Sequence, residues 1–349
     1  MVECLDGSCA VVVQTRDEKR KSFKHDESSA ADIYQGLRDD LFRIGQNYFV
    51  FNFDLARIEG DLHDAWDELI HAAKRLPLDG AEHDRLVTLI LELRELGQLQ
   101  RKKKDTDLEE VAVMPNGERL WIDLPYLAEE LYASWMREST SLTRHERQSL
   151  AVFSGKLCAV GVCVPELAQS ALWLLKEALE TDRPETGPST GSRALVRASP
   201  TIADLLPACL AWLKFGNGKL AKLSLENYRP TTVQVDVSSH SPGSLATGSG
   251  IESEGFSLAR WLFWRQRLGD LYRHGCDEVA KLARACFEEM IYAGLAMSID
   301  IPGEKRYLAK LFEALDKELA SKPKWSCLGA EDIEIDPTWA IEDHGGGAA

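Results

Sequence analysis

The chain has 349 residues, 44% of them hydrophobic and 28% charged, an ordinary globular composition with length for one large domain or two smaller ones. Its formal net charge of −15 opposes attraction to nucleic acid or an anionic membrane surface, so neither partner is expected. Eight cysteines without a Cys-x-x-Cys pair argue against a disulfide scaffold and against a structural zinc site.

Residues 1–30 mix basic, acidic and Ser residues and offer little to bury, which predicts a disordered N-terminal tail. The acidic start Met1-Val2-Glu3-Cys4-Leu5-Asp6 lacks the basic character of a secretory leader, and no apolar run reaches the roughly 18 residues of a membrane span. The expected location is therefore intracellular. Lys19-Arg20-Lys21 and Arg101-Lys102-Lys103-Lys104 read either as solvated surface or as nuclear import signals.

From residue 31 the pattern is helical. Ile33, Leu37, Leu41 and Ile44 form one face with a period near 3.6. Leu55, Ile58, Leu62, Trp66, Leu69 and Ile70 form a second, and Leu86, Leu89, Leu93 and Leu96 a third, after a break at Asp79-Gly80. Asn116-Gly117 marks a turn, beyond which Asp123 is placed to cap a helix carrying Tyr126, Leu127, Leu131 and Trp135. Thr143-Arg144-His145-Glu146 fits a capping box for a helix with Leu150, Phe153, Leu157 and Val160 on its apolar face. Pro165 suits the first turn of the next helix, and Thr201 caps another with a possible break at Gly216-Asn217-Gly218.

Residues 181–200 and 229–255 are rich in Ser, Gly, Pro and Thr and read as two disordered insertions, the second holding one alternating stretch, Val233–Val237. Helices follow over Ser257–Tyr272, Asp277–Met297 and Pro302–Leu319. The predicted fold is all-α, an irregular multi-helix assembly over residues 31–321, with an acidic C-terminal tail at 322–349. Trp325 and Trp339 in that tail could drape over the body.

Catalytic patterns are sparse. Gly187-Pro188-Ser189-Thr190-Gly191 spells Gly-x-Ser-x-Gly but lacks the strand and helix that a nucleophile elbow requires. Glu68-Leu69-Ile70-His71 is a single Glu-x-x-His, where a di-iron bundle needs two. Its neighbours His63, Asp64 and Asp67 make a solvated acidic face or one adventitious metal site. No phosphate-binding glycine loop occurs, and nothing points to a catalytic residue, a cofactor or a resident metal.

The densest feature is the run Gly255-Phe256-Ser257-Leu258-Ala259-Arg260-Trp261-Leu262-Phe263-Trp264-Arg265-Gln266-Arg267-Leu268. Arg260 precedes Trp264 by four residues and Trp261 precedes Arg265 by four, spacings that allow guanidinium–indole stacking. Two readings compete. In one, the Trp fill the core and the Arg pair with acidic residues of neighbouring helices such as Glu288 and Glu289. In the other, Arg260, Trp261, Trp264, Arg265 and Arg267 line a groove for an acidic partner or ligand.

This run, with Trp121-Ile122-Asp123-Leu124-Pro125 and Leu205-Leu206-Pro207-Ala208-Cys209-Leu210-Ala211-Trp212, resembles a fungal family of α-helical proteins of unknown function. The resemblance spans roughly residues 31–320. It implies a cytoplasmic or nuclear fungal protein and brings no activity, cofactor or catalytic residue with it. The reading reached is a non-enzymatic protein–protein interaction module. The alternative is a small-molecule binder or cryptic enzyme with a Trp- and Arg-lined pocket between helices.

Overall fold

The apolar periodicities become helices in the computed structural model, which describes Glu18 and residues 30–102, 108–187, 199–230, 240–321 and 333–341. The fold is predominantly α-helical, and the chain divides into two compact units, Met1–Ser170 and Ala171–Ala349. The sequence marks one helical body across 31–321; the division falls inside one of its helices.

The first unit is built from α1 (Ala30–Phe49), α2 (Leu55–Arg75), α3 (Glu82–Glu95), α4 (Leu127–Glu138), α5 (Arg144–Ala159) and the start of α6 (Val164–Leu175). α2 is its centre and packs against α1, α4 and α5. Its stripe Ile58, Leu62, Trp66 and Leu69 is wholly buried, and the Trp66 indole N–H donates to Pro125 O at 2.7 Å. The Thr143 capping box forms as expected, with the hydroxyl accepting from Glu146 N and the Glu146 side chain accepting from Thr143 N.

Two local readings change. Asp123 does not cap α4; its carboxylate accepts from Arg119 N, Nε and Nη2, each at 2.8 Å, and the Arg119 guanidinium holds it below the usual carboxylate range. The α4 N-cap is Tyr126, with φ +66° and no capping side chain, after Trp121 and Leu124 at φ +67° and +55°. A small sheet was also missed: β1 (Gln100–Lys102) pairs antiparallel with β2 (Glu109–Val111). Its strands are three residues each and largely charged, so no apolar alternation announced them. The Asn116-Gly117 turn is present, with Gly117 at φ +85° beside the bridge Val113–Arg119.

The second unit contains the end of α6, which widens into a π turn at Lys176–Glu180, then α7 (Ile202–Leu225), α8 (Ser244–Gly248), α9 (Leu258–His274), α10 (Asp277–Met297) and α11 (Glu304–Ser321). A strap over residues 333–341 ends in a 3-10 turn, Pro337–Ala340. α7 and α9 pack against α10. α7 does not break at Gly216-Asn217-Gly218. Those residues face α10: Asn217 Nδ2 donates to Glu289 O at 3.2 Å, and a Cβ on Gly218 would lie 2.8 Å from Met297 Sδ. The glycine makes room for the neighbouring helix, which offsets its helix-propensity cost of about 1 kcal/mol.

The strap is held through its carbonyls. Arg284 donates to Ile333 O, Arg265 to Ala340 O and Arg306 to Ile341 O, at 2.9, 3.0 and 3.0 Å. Trp339 meets Tyr307 with ring centroids 5.9 Å apart, so this part of the C-terminal segment does lie on the helices. The tail at residues 1–17 and 19–29, Ser189 of the Gly-x-Ser-x-Gly match, Val233–Val237 and Trp325 fall outside the described residues. No helix among the described residues is long and apolar enough to cross a membrane.

Candidate functional site

α9 begins where Ser257 caps it, its side chain accepting from Arg260 N at 3.2 Å. That start points Arg260 into the second unit's core, where it is fully buried against Glu180, which is also fully buried. The contact is a fork: Arg260 Nε donates to Glu180 Oε1 at 2.8 Å and Nη2 to Oε2 at 3.0 Å. Trp264 Nε1 donates to Oε1 at 2.6 Å, and Gly243 N to Oε2 at 2.6 Å. Arg260 Nη1 reaches His240 O at 2.9 Å and Gly255 O at 2.6 Å. Gly255 has φ +74°, and a Cβ there would stand 2.5 Å from Tyr228 O, so the carbonyl position depends on glycine.

This network explains why residues 240–255 do not follow their composition. They have few apolar side chains to bury, yet their backbone is tied down by a buried carboxylate and a buried guanidinium, and α8 forms within them. The predicted Arg260–Trp264 stacking is present at 5.6 Å. Phe256 packs edge-on to Trp264 at 6.4 Å, and Trp261 at 6.5 Å.

The five residues singled out from sequence therefore separate. Arg260, Trp261 and Trp264 are fully buried and present no surface to a partner. Arg265 is nearly buried and donates through Nη2 to Pro302 O and Ala340 O. Arg267 is half-buried, with its Nε making no hydrogen bond. The acidic partner is neither Glu288 nor Glu289; Glu288 accepts from Arg284 on its own helix at 3.0 Å. Glu180 carried no sequence signal, because it closes an apolar helix about 80 residues upstream and reads there as a surface residue.

Beside Arg265 lies a cavity of about 240 Å³. α9 contributes Arg265, Gln266, Asp270 and Arg273 to its wall, and the strap contributes Pro337 and Thr338. Arg273 was not anticipated as a lining residue, and it donates to Asp270 at 3.3 Å. Near this strap Glu304 is buried at the start of α11, and burial pushes its carboxyl up to about 7 against the Gly294 backbone and the Arg265 charge.

A further surface feature is α11. Phe312 and Leu319 are 59% and 56% exposed, and Leu308, Leu311 and Leu315 on the same face are only half-buried. The contacts of this helix are with α10 and the strap.

The first unit's polar clusters are internally paired. His63 Nδ1 meets Glu130 Oε1 at 2.7 Å, and its ring stacks on Tyr126 at 4.5 Å. Arg137 stands 3.6 Å from Glu130 and 4.0 Å from Asp67. His83 is fully buried, with Nε2 at 2.9 Å from Ser149 Oγ, which itself bonds Ala73 O and Leu76 O. The hydroxyl has one proton for those carbonyls, so His83 donates from Nε2 and is held in that neutral tautomer. No group of three or more His, Cys, Asp or Glu arranged to hold a metal occurs among the described residues.

Comparison with known proteins bears on this architecture. The family described as "Protein of unknown function (DUF3632)" matches residues 66–268, more than half of the chain. The chain belongs to the DUF3632 family. It is also 27% identical over 301 residues to "Oxopyrrolidines biosynthesis cluster protein G" of Penicillium oxalicum, covering 81% of this chain and 80% of that one. No solved structure matches. The DUF3632 stretch contains Glu180, His240, Gly243, Gly255, Arg260 and Trp264, the whole buried clamp, and ends at Leu268, before α10 and α11 begin.

Proposed function

We propose that this DUF3632 protein is a non-enzymatic interaction module, docking through the apolar face of α11 in the service of a small-molecule biosynthetic pathway. The observation that carries the reading is that face, where Phe312 and Leu319 stand more than half exposed on an otherwise regular amphipathic helix. The buried His, Glu and Arg groups support it from the other side, since Glu180, Arg260 and His83 are engaged in holding elements together. The name of the Penicillium relative supplies the biosynthetic setting. A photo-crosslinking side chain at position 312 of the full chain, irradiated in extract, tests the proposal. Adducts to a defined polypeptide through this position are expected. Absence of any polypeptide adduct contradicts it.

A second reading has its own observation. The cavity beside Arg265 and Arg273 joins guanidinium groups to an apolar wall, the chemistry that holds a small organic acid. An oxopyrrolidine carboxylic acid is the natural first probe, by nuclear magnetic resonance titration. Shifts confined to the strap and α9, lost in Arg273→Ala, would favour this reading.

A further inference from the structure

We infer that the partner of α11 is a second copy of the same helix, docked antiparallel. The inference rests on the interaction reading above and names its partner. At about 100° per residue, Leu308, Leu311, Phe312, Leu315 and Leu319 fall within an arc of about 100°, a stripe about 16 Å long. Charge is distributed along this helix by halves. Lys305, Arg306 and Lys310, with Glu304, lie in its first half, whereas Glu313, Asp316 and Glu318 lie in its second, accompanied by Lys317.

Two of these charges flank the stripe on the same edge. Lys305 and Asp316 project about 60° and 80° from Leu308, just beyond Phe312, at opposite ends of the helix. Both are exposed. A two-fold axis level with Leu311 and Phe312 lays Leu308 of one copy near Leu315 of the other. It also brings each Lys305 toward the other copy's Asp316, twice by symmetry. A parallel arrangement would instead put both Lys305 at one end of the pair and both Asp316 at the other, separating the opposite charges. Lys305 is already 3.0 Å from Asp300, but that pair is highly exposed and exchanges partners at little cost. One helix pair buries less than the roughly 1,200 Å² of a standard interface, so the dimer is expected to be weak and concentration-dependent.

Sedimentation velocity on the full chain, from low to high micromolar, tests this. Wild type should shift toward dimer with concentration, and Phe312→Asp should remain monomeric with an unchanged thermal melt, because position 312 is exposed. Asp316→Lys should weaken dimerisation about tenfold or more by opposing Lys305, and the double exchange Lys305→Asp with Asp316→Lys should restore it. A wild type that stays monomeric throughout, or a dimer indifferent to Phe312→Asp, overturns the inference. A monomeric wild type that still crosslinks through position 312 to a different polypeptide overturns the second copy and leaves the interaction reading standing. A dimer weakened by Phe312→Asp but untouched by both charge variants overturns the antiparallel register.

Discussion

The Arg260–Glu180 pair shows how little the identity of a charged residue says about where its charge is used. A guanidinium and a carboxylate are costly to bury, and the pair persists because nearly every donor and acceptor is matched by Trp264, Gly243, His240 or Gly255. Removing one partner leaves the other charged in a dry site. Arg260→Ala and Glu180→Ala should each cost about 3–5 kcal/mol in urea unfolding, and Arg260→Lys should recover only part, because an ammonium cannot make the fork. A double variant losing clearly less than the sum of the singles would confirm the direct coupling. At His83 burial lowers the pKa, so below its unfolded value of about 6.5 the unfolded chain takes up a proton that the folded chain refuses. Stability from this residue is present above that pH and lost as pH falls below it. Glu304 runs the other way. Its folded pKa of about 7 lies above the ordinary 4.5, so its stabilisation is full below about 4.5 and lost as pH rises through 7. Glu304→Gln should flatten the alkaline side of the melting-temperature profile between pH 5 and 8 and leave the His83 loss on the acid side intact.

At the scale of the element, legibility followed the locality of the signal. The Thr143 capping box and the Thr201 cap are signals of a few neighbouring residues and were readable, and both form, Thr201 completing a box with Asp204. Thr143→Ala should destabilise the first unit by about 1 kcal/mol, measured by denaturant midpoint. The Asp123 cap failed because Arg119, four residues upstream, offers a bidentate partner that competes with the helix terminus. The glycines of α7 read as a break because a glycine's local preference is visible in sequence while Met297, about 80 residues away, is not. For the candidate site the same division holds. Trp261 and Trp264 were legible either as core or as groove lining and are core, and the Arg260–Trp264 stacking followed from spacing. Glu180, the strap carbonyls and Arg273 were not legible, because each depends on segments far apart in the chain meeting in the fold. The α11 stripe was within reach, since its period is local; its exposure was not.

For the molecule as a whole, the clamp and the exposed helix are separate features. The run around Arg260 anchors an otherwise polar loop in the second unit, while α11, beyond the stretch matched by the family, carries an exposed apolar face. His83 belongs to the first unit and Glu304 to the second, so acid should weaken one unit first and alkali the other. A probe in each unit would register different pH dependences if the units unfold separately. The most direct test of the interaction account is native mass spectrometry of the full chain, purified gently and compared with Phe312→Asp. The account predicts polypeptide association in the wild type, lost in the variant, with no small molecule retained. A monomer carrying a small-molecule adduct in both proteins would contradict it.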